Sequence, residues 1–426
     1  MKELHYEEAL KKINVKGKND EERKVNKLFL DLNFKFVDCD HSFFRNGEVV
    51  GEIDGIFQLF DDYLILIEVG KEKKNKSEKI TKFFSKWSSE DNLDLILNEK
   101  KIKKEIKIIK IYVDFEENAS KMGLDKESLK HLKEEENHIL YGEDIDYFSK
   151  SYNLIGYFAR NELLFNLGAK PLKKSYEERD AIRIELGHKR AFLFCASAEE
   201  LLNSSYIYRK KESSLEGYQR ILKTNRVNKI KKAIEKDTIL AFPNSIILSS
   251  NYKLSEDFSR KIGAYKIKIP NSYLSFRVVD GQHRLMGFSK LNEKSRKEHF
   301  LPVVAFDDLN NTDELQTFIT INTEQKKIDS NLLLILKADM DWEEKDKFFI
   351  DKQAVLIVKK LNDDPNFFLN NKVFLGYNEP RSDKKITLTT LVSAIKKNNL
   401  ICGKYHLLQE QISDIDKPYK EIKRIL

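Results

Sequence analysis

The chain is short of the features that mark an exported or membrane protein. Only three cysteines occur, Cys39, Cys195 and Cys402. They lie far apart with no CxxC pair, which excludes a disulfide framework and a zinc knuckle, and reduced, buried thiols are expected. The opening Met1-Lys2-Glu3-Leu4-His5 has no apolar run of the kind a secretory leader needs. No hydrophobic stretch approaches a membrane span. Internal repeats at a solenoid period and low-complexity tails are missing too. The histidines at 5, 41, 131, 138, 188, 299 and 406 show no metal-ligand spacing and read as surface or packing residues. These absences describe a soluble, cytoplasmic protein without a membrane partner.

No sign of charge dominates. Against 76 Lys and Arg stand 69 Asp and Glu, for a net +7. That balance permits nucleic-acid binding through local patches without demanding it. Apolar residues make up 41% and charged residues 34%, enough for packed cores beneath a very polar surface. At 426 residues the chain exceeds one typical core. Two domains are expected, 1–167 and 172–426, with Gly168-Ala169-Lys170-Pro171 as the linker because Gly and Pro together stop a helix.

In the first half, Asp20 is the expected N-cap of a helix carrying Val25, Leu28, Phe29 and Leu32 at helical spacing. Residues 33–37 read as a turn into an edge strand. An extended segment at 51–60, a turn at Asp61-Asp62 and an apolar strand at 63–69 follow. A lysine-rich stretch at 71–82 leads into a helix around Phe83, Phe84 and Trp87. Strands are expected at 107–115 and 139–141, then one connecting helix from Tyr147 to Leu167. The second half alternates a strand at 191–195, a helix at 198–202 and strands at 242–248, 274–279 and 301–306. Helical spacing returns at 331–339, 344–360 and 387–397. Both halves read as α/β or α+β.

Glu52, Asp54 and Glu68 lie on two strands joined by the 61–62 turn. Alternation puts Glu52 and Asp54 on one face. Glu68 falls at the end of an apolar strand, where a lone carboxylate is costly to bury. A cation between the paired acids would relieve their repulsion. Mg²⁺ or Mn²⁺ suits oxygen ligands and phosphodiester hydrolysis. The alternative is a solvated hairpin end with ordinary surface acids. This segment, roughly 18–150, resembles the PD-(D/E)XK nuclease core of the Mrr-like and Holliday-resolvase-like branch. The resemblance implies a mixed sheet with flanking helices, Glu22 as the helical acid, and Asp54 and Glu68 as the metal ligands. The lysine of that pattern is replaced by Gly70, with Lys71 one place on. A bulge at Gly70 would bring Lys71 back toward Glu68; without one, the site is catalytically dead. Lysines at 71–82 and 100–107 would track a phosphate backbone, or simply form solvated helix faces.

Asp280-Gly281-Gln282-His283-Arg284 stands between a strand and a helix. A chain that breaks there leaves backbone N–H donors at a helix start, with His283 and Arg284 adding side-chain donors suited to phosphate oxygens. The alternative is a tight turn whose His283 and Arg284 face solvent. The pentapeptide resembles the signature of the DGQHR-domain family, which is DndB-like and related to the ParB/sulfiredoxin fold. Similar segments occur in the same order at 217–220, 242–248, 301–306 and 318–326, over roughly 175–400. The resemblance implies that Asn322 and Gln325 line the same pocket, with ATP or CTP or DNA phosphate as ligand.

Three functions follow. The leading one is Mg²⁺-dependent DNA cleavage coupled to a nucleotide- or phosphate-sensing half, in a DNA-modification or phage-defence system. Its partners would be DNA, a nucleoside triphosphate, other proteins of that system and a second copy of the chain. The second is a non-enzymatic DNA-binding regulator with a degenerate nuclease core. The third is an ATP or CTP hydrolase.

Overall fold

The computed structural model describes residues 2–70, 76–115, 136–172, 175–186, 189–207, 224–235, 244–252, 254–261 and 264–307, scattered positions between 309 and 338, and the stretches 349–375, 386–398, 400–401 and 416–425. Its class is α/β, built on mixed sheets with flanking helices.

Helix α1 (Lys2–Lys16) precedes α2 (Asp20–Asp31). The cap of α2 is Asn19, not Asp20: the Asn19 side chain accepts from the Glu22 N–H at 2.9 Å. Glu22 Oε2 in turn accepts from the Lys18 N–H at 2.8 Å, so the Glu22 amide in the first turn and the amide just before the cap are both satisfied. Val25, Leu28 and Phe29 form its buried stripe.

Three antiparallel strands follow: β1 (Lys35–Arg45), β2 (Glu48–Leu59) and β3 (Tyr63–Gly70). Helices α3 (Lys76–Lys86) and α4 (Glu90–Glu99) carry the chain to β4 (Lys107–Asp114), parallel to β3. Strand β5 (Asn137–Tyr141) adds in parallel, giving the order β1-β2-β3-β4-β5. The continuous apolar run of β3 is explained by cover on both faces. Tyr63, Ile65 and Ile67 join the core of α2, whereas Leu64 and Leu66 join Ile80, Phe84, Trp87 and Ile96.

The single helix expected from 147 to 167 is divided. Helix α5 (Gly142–Ile155) ends at Gly156, whose φ of 67° is left-handed and breaks the helical hydrogen bonds. A 3-10 turn (Gly156–Ala159) and α6 (Arg160–Asn166) follow. The expected linker is also packed: Ala169 is buried, and the Lys170 carbonyl and amide both bond the Tyr63 hydroxyl, at 2.9 and 3.0 Å.

The second sheet contains β6 (Tyr176–Leu186), β7 (Lys189–Ser197), β8 (Ser205–Tyr206), β9 (Ile246–Ser250), β10 (Ser255–Lys261), β11 (Ala264–Pro270), β12 (Phe276–Asp280) and β13 (Phe300–Asp307). Their order is β10-β11-β6-β7-β13-β9-β12-β8. Helices α7 (Ala198–Ser204), α8 (Thr224–Glu235), α9 (Gln282–Gly287) and α10 (Glu293–Glu298) connect them. Beyond lie α11 (Phe349–Asp363), the short pair β14 (Val373–Phe374) and β15 (Ile386–Thr387), α12 (Leu388–Lys397) and α13 (Asp416–Ile425), with a core of their own. The helical run expected at 344–360 is described from Phe349 as α11, and that at 387–397 is α12, capped by Thr387.

One apolar cluster runs through both large sheets, from Ile65 and Ile67 through Leu163 and Leu164 to Phe192, Phe276 and Val278. Cys39 is buried, as expected, but Cys195 is exposed because it sits on β7 with its side chain away from the core; Cys402 lies outside the described residues. No described helix is long and apolar enough to cross a membrane.

Candidate functional site

The register of the first sheet lines up three acids. Cys39 pairs with Gly55 and His41 with Ile53, so Asp40 lies opposite Asp54; Gly55 pairs with Ile67, so Asp54 lies opposite Glu68. Like charges directly opposite on neighbouring strands are destabilising. Glu22 adds a fourth from the first turn of α2. Carboxylate oxygens of Glu22, Asp40 and Asp54 all lie within 4.8 Å of one another. Helix α2 comes this close because Gly55 leaves room: a Cβ there would meet Asn26 Oδ1 at 2.2 Å. Asn26 Nδ2 then donates to the Asp54 carbonyl at 2.9 Å. The Asp54 carboxylate is oriented by the Val69 N–H, which donates to Oδ2 at 2.7 Å.

Electrostatics records the crowding. Burial first, then the charges of Glu22 and Asp54, pushes Asp40 up to about 7. Burial, with Glu22 and Glu52 adding, pushes Asp54 up to about 6 against the Val69 hydrogen bond. Glu68 is pushed up to about 8 by burial and by Asp54 and Glu52, with Lys86 and Lys18 opposing. Both carboxylate oxygens of Asp40 are buried, with no N–H donor on them among the described residues. Acids held this way favour protons or a cation between them.

Sequence reasoning named Glu22, Asp54 and Glu68 but missed Asp40. The Asp38-x-Asp40 alternation was the available signal. It was obscured by the irregular register between Phe36 and Asp38 and by the left-handed φ of 43° at Asp40 itself. Glu52, grouped with Asp54 by alternation, is engaged by Lys18 at 2.5 Å. Lys71 lies outside the described residues. Gly70 is closed to any side chain, since a Cβ there would fall 1.9 Å from the Tyr112 hydroxyl. Three of the lysines expected to track a phosphate backbone have carboxylate partners within the first half. Lys76 meets Asp114, Lys100 meets Asp38 and Glu99 at 3.0 Å each, and Lys104 meets Asp94 at 2.8 Å.

The strand-to-helix corner of the second sheet is where the motif placed it. Asp280 ends β12, Gly281 turns with φ 93°, and α9 begins at Gln282. Arg284 is turned inward. Its guanidinium donates to the Asn244 carbonyl, to the Ser245 carbonyl at 3.1 Å and to Asp280 Oδ2 at 3.0 Å. Burial lowers its pKa, with Asp280 opposing. Arg284 thus clamps the segment before β9 to the corner, and neither it nor Asp280 simply faces solvent. Gln282 is only 9% exposed, and its Oε1 has no hydrogen-bond donor among the described residues. His283 is half-buried beside it. Asn322 and Gln325, and the segments 217–220 and 242–243, lie outside the described residues.

No curated protein and no solved structure matches the chain. Among family models, the one described as "DndB: DNA-sulfur modification-associated" matches residues 180–422. That span takes in the second sheet from the middle of β6 onward, the Asp280–Arg284 corner and most of the helices beyond, more than half of the sequence, so the chain belongs to the DndB family of DNA-sulfur modification-associated proteins.

Proposed function

We propose that this DNA-modification-system protein cuts DNA with a divalent cation held by its first sheet, under the control of a phosphate- or nucleotide-sensing second half. The observation that carries the reading is the acid row: Asp40, Asp54 and Glu68 on adjacent strands, closed by Glu22. Three acids with raised proton affinity, Asp40, Asp54 and Glu68, gain most from a hard cation with oxygen ligands. Glu22, Asp40 and Asp54 would hold Mg²⁺ or Mn²⁺, with Glu68 beside them. Such an ion polarises a phosphodiester and lowers the pKa of a bound water. The order of a Glu-bearing helix, an acid-bearing hairpin and a parallel strand supports the nuclease-like resemblance of this half. In the second half, Gln282 Oε1, which has no hydrogen-bond partner among the described residues, and the neighbouring His283 are the groups that would read a nucleotide or a DNA phosphate, while Arg284 holds the corner in shape.

One observation favours the rival reading of a non-cutting regulator: the phenol of Tyr112 occupies the place of a side chain at position 70. Plasmid cleavage in Mg²⁺ or Mn²⁺, on sulfur-modified and unmodified DNA, with and without ATP or CTP, decides between them. The proposal expects cutting that Asp54→Ala and Glu68→Ala each abolish in folded protein. DNA binding without cutting by the wild type overturns it in favour of the regulator. Nucleotide hydrolysis without DNA cleavage would point to a hydrolase in the second half.

A further inference from the structure

A site made only of carboxylates is incomplete for phosphodiester chemistry. The substrate brings its own negative charge, and more develops on the phosphoryl oxygens as the bond to the leaving oxygen breaks. A cation or strong donor fixed beside the metal is what stabilises that state. Strand β3 cannot supply it from position 70, where a Cβ would lie 1.9 Å from the Tyr112 hydroxyl and 2.6 Å from Cζ of that ring.

Several cations lie near the acids. Lys18 is taken by Glu52 at 2.5 Å, Lys16 by Asp38 at 2.9 Å, and Lys110 donates to Ser88 Oγ at 2.7 Å. Lys86, the last residue of α3, makes no ion pair among the described residues. Its side chain lies over β2 rather than out in solvent. A Cβ on Gly51 would meet Lys86 Cδ and Nζ at 2.8 Å each, so the glycine opens the slot in which the ammonium lies. The end of α3 is fixed there by its neighbour. Trp87 is 1% exposed and packs edge-on against Phe43, ring centroids 5.6 Å apart, and the Asn92 side chain donates to the Lys86 carbonyl at 2.8 Å. Gly51 is three residues before Asp54 on the same strand, roughly 10 Å along it. Among the charges that oppose the upward push on Glu68, that of Lys86 is the largest.

We infer that Lys86, brought in from α3 through the Gly51 slot, supplies the cation that the acid row lacks and meets the scissile phosphate and the attacking water. It donates hydrogen bonds and transfers no proton. The inference rests on the metal-dependent reading above.

The test uses the full-length chain with Lys86→Ala, Lys86→Gln, Lys86→Arg and Gly51→Ala. The last keeps the lysine but fills its slot. Plasmid nicking gives kcat and KM, and calorimetric Mn²⁺ titration without DNA gives a readout independent of cutting. Lys86→Ala and Lys86→Gln are expected to lower kcat by about a hundredfold with KM for DNA little changed. Both should tighten Mn²⁺ binding by about threefold or more, because a like charge has been removed. Lys86→Arg should retain part of the rate, and Gly51→Ala should resemble Lys86→Gln. Wild-type rates and Mn²⁺ affinity in all four, while Asp54→Ala is inactive, overturn the role of Lys86 and leave the metal reading standing. The same holds if Lys71→Ala alone removes the rate. A wild-type protein that neither binds Mn²⁺ nor cuts overturns the metal reading and the inference with it.

Discussion

Asp40, Asp54 and Glu68 hold a position that folding alone would not choose. Each sits opposite another acid, and each binds its proton more tightly than a free carboxylate does. Such an arrangement costs stability, and the proposed function is what it would serve. Asp40→Asn, which keeps the shape and removes one charge, should therefore stabilise the cation-free protein at pH 8, by about 1 kcal/mol. It should also shrink the rise in melting temperature expected of the wild type in Mn²⁺. Thermal unfolding with and without Mn²⁺ reads both, and a destabilised variant with an undiminished Mn²⁺ response would sink the idea. Residue by residue, the sequence was legible where period-2 alternation was regular. Asp54 and Glu68 stood out because they interrupt apolar strands. Asp40 did not, because β1 is an edge strand of mixed polarity with register shifts. The inward turn of Arg284 was invisible for another reason. Its acceptors are backbone carbonyls of Asn244 and Ser245, some 40 positions earlier, and no side-chain pattern encodes them.

At the scale of elements, the strands buried on both faces were the most legible, since β3 and β13 are nearly unbroken apolar runs. Strand β6, YEERDAIRIEL, was missed because its polar residues dominate and one neighbour is the distant β11. The contact of α8 with α9 is equally long-range. A Cβ on Gly287 would meet Ile230 Cγ2 at 2.3 Å, so Gly287→Ala should overpack it and cost about 1–3 kcal/mol; an unchanged denaturation midpoint would contradict that packing. The last helix invites a pH test. Asp364 accepts from both Tyr419 and Lys423 of α13, and the Lys423 hydrogen bond, then that of Tyr419, holds its carboxyl down at about 2. A carboxyl with a depressed folded-state pKa stabilises fully above its unfolded value, near 4, and loses that contribution as pH falls through the folded one. Docking of α13 should therefore weaken between pH 4 and pH 2. Limited pepsin digestion across that window should show α13 released progressively in the wild type. In Asp364→Asn it should be equally accessible at both ends. A wild-type helix equally protected at pH 4 and pH 2 would remove Asp364 as its tether.

For the molecule as a whole, the boundary expected near 168–171 hides a shared core. The turn between β2 and β3, which joins the two strands bearing Asp54 and Glu68, is gripped by the second half. Tyr273 donates to Asp62 Oδ2 at 2.7 Å and stacks on Phe60 at 5.8 Å; burial and Asp62 raise the pKa of its hydroxyl. Arg160 is 5% exposed, with its guanidinium 5.2 Å from the Phe60 ring and 5.9 Å from Tyr157. Burial lowers its pKa to about 10. Asn161 donates to the carbonyls of Leu202, Asn203 and Ser205, at 3.2, 3.0 and 2.9 Å. An apolar cluster running through both sheets and stitched this way should melt as one unit. Calorimetry of the intact chain is expected to show one transition linking 1–167 to the second sheet. Residues 172–426 expressed alone would expose the face that Leu163 and Leu164 cover, and should bind a hydrophobic dye and melt without cooperativity. Tyr273→Phe, which removes one hydrogen bond to a carboxylate, should lower stability by about 1.5–3 kcal/mol while leaving the single transition intact. Tyr273 itself lies three residues before β12, which leads directly into the Asp280–Arg284 corner. Two well-separated transitions in the wild type, or a 172–426 fragment melting as sharply as the whole, would show that the halves are independent bodies and that the corner has no rigid path to the acid row.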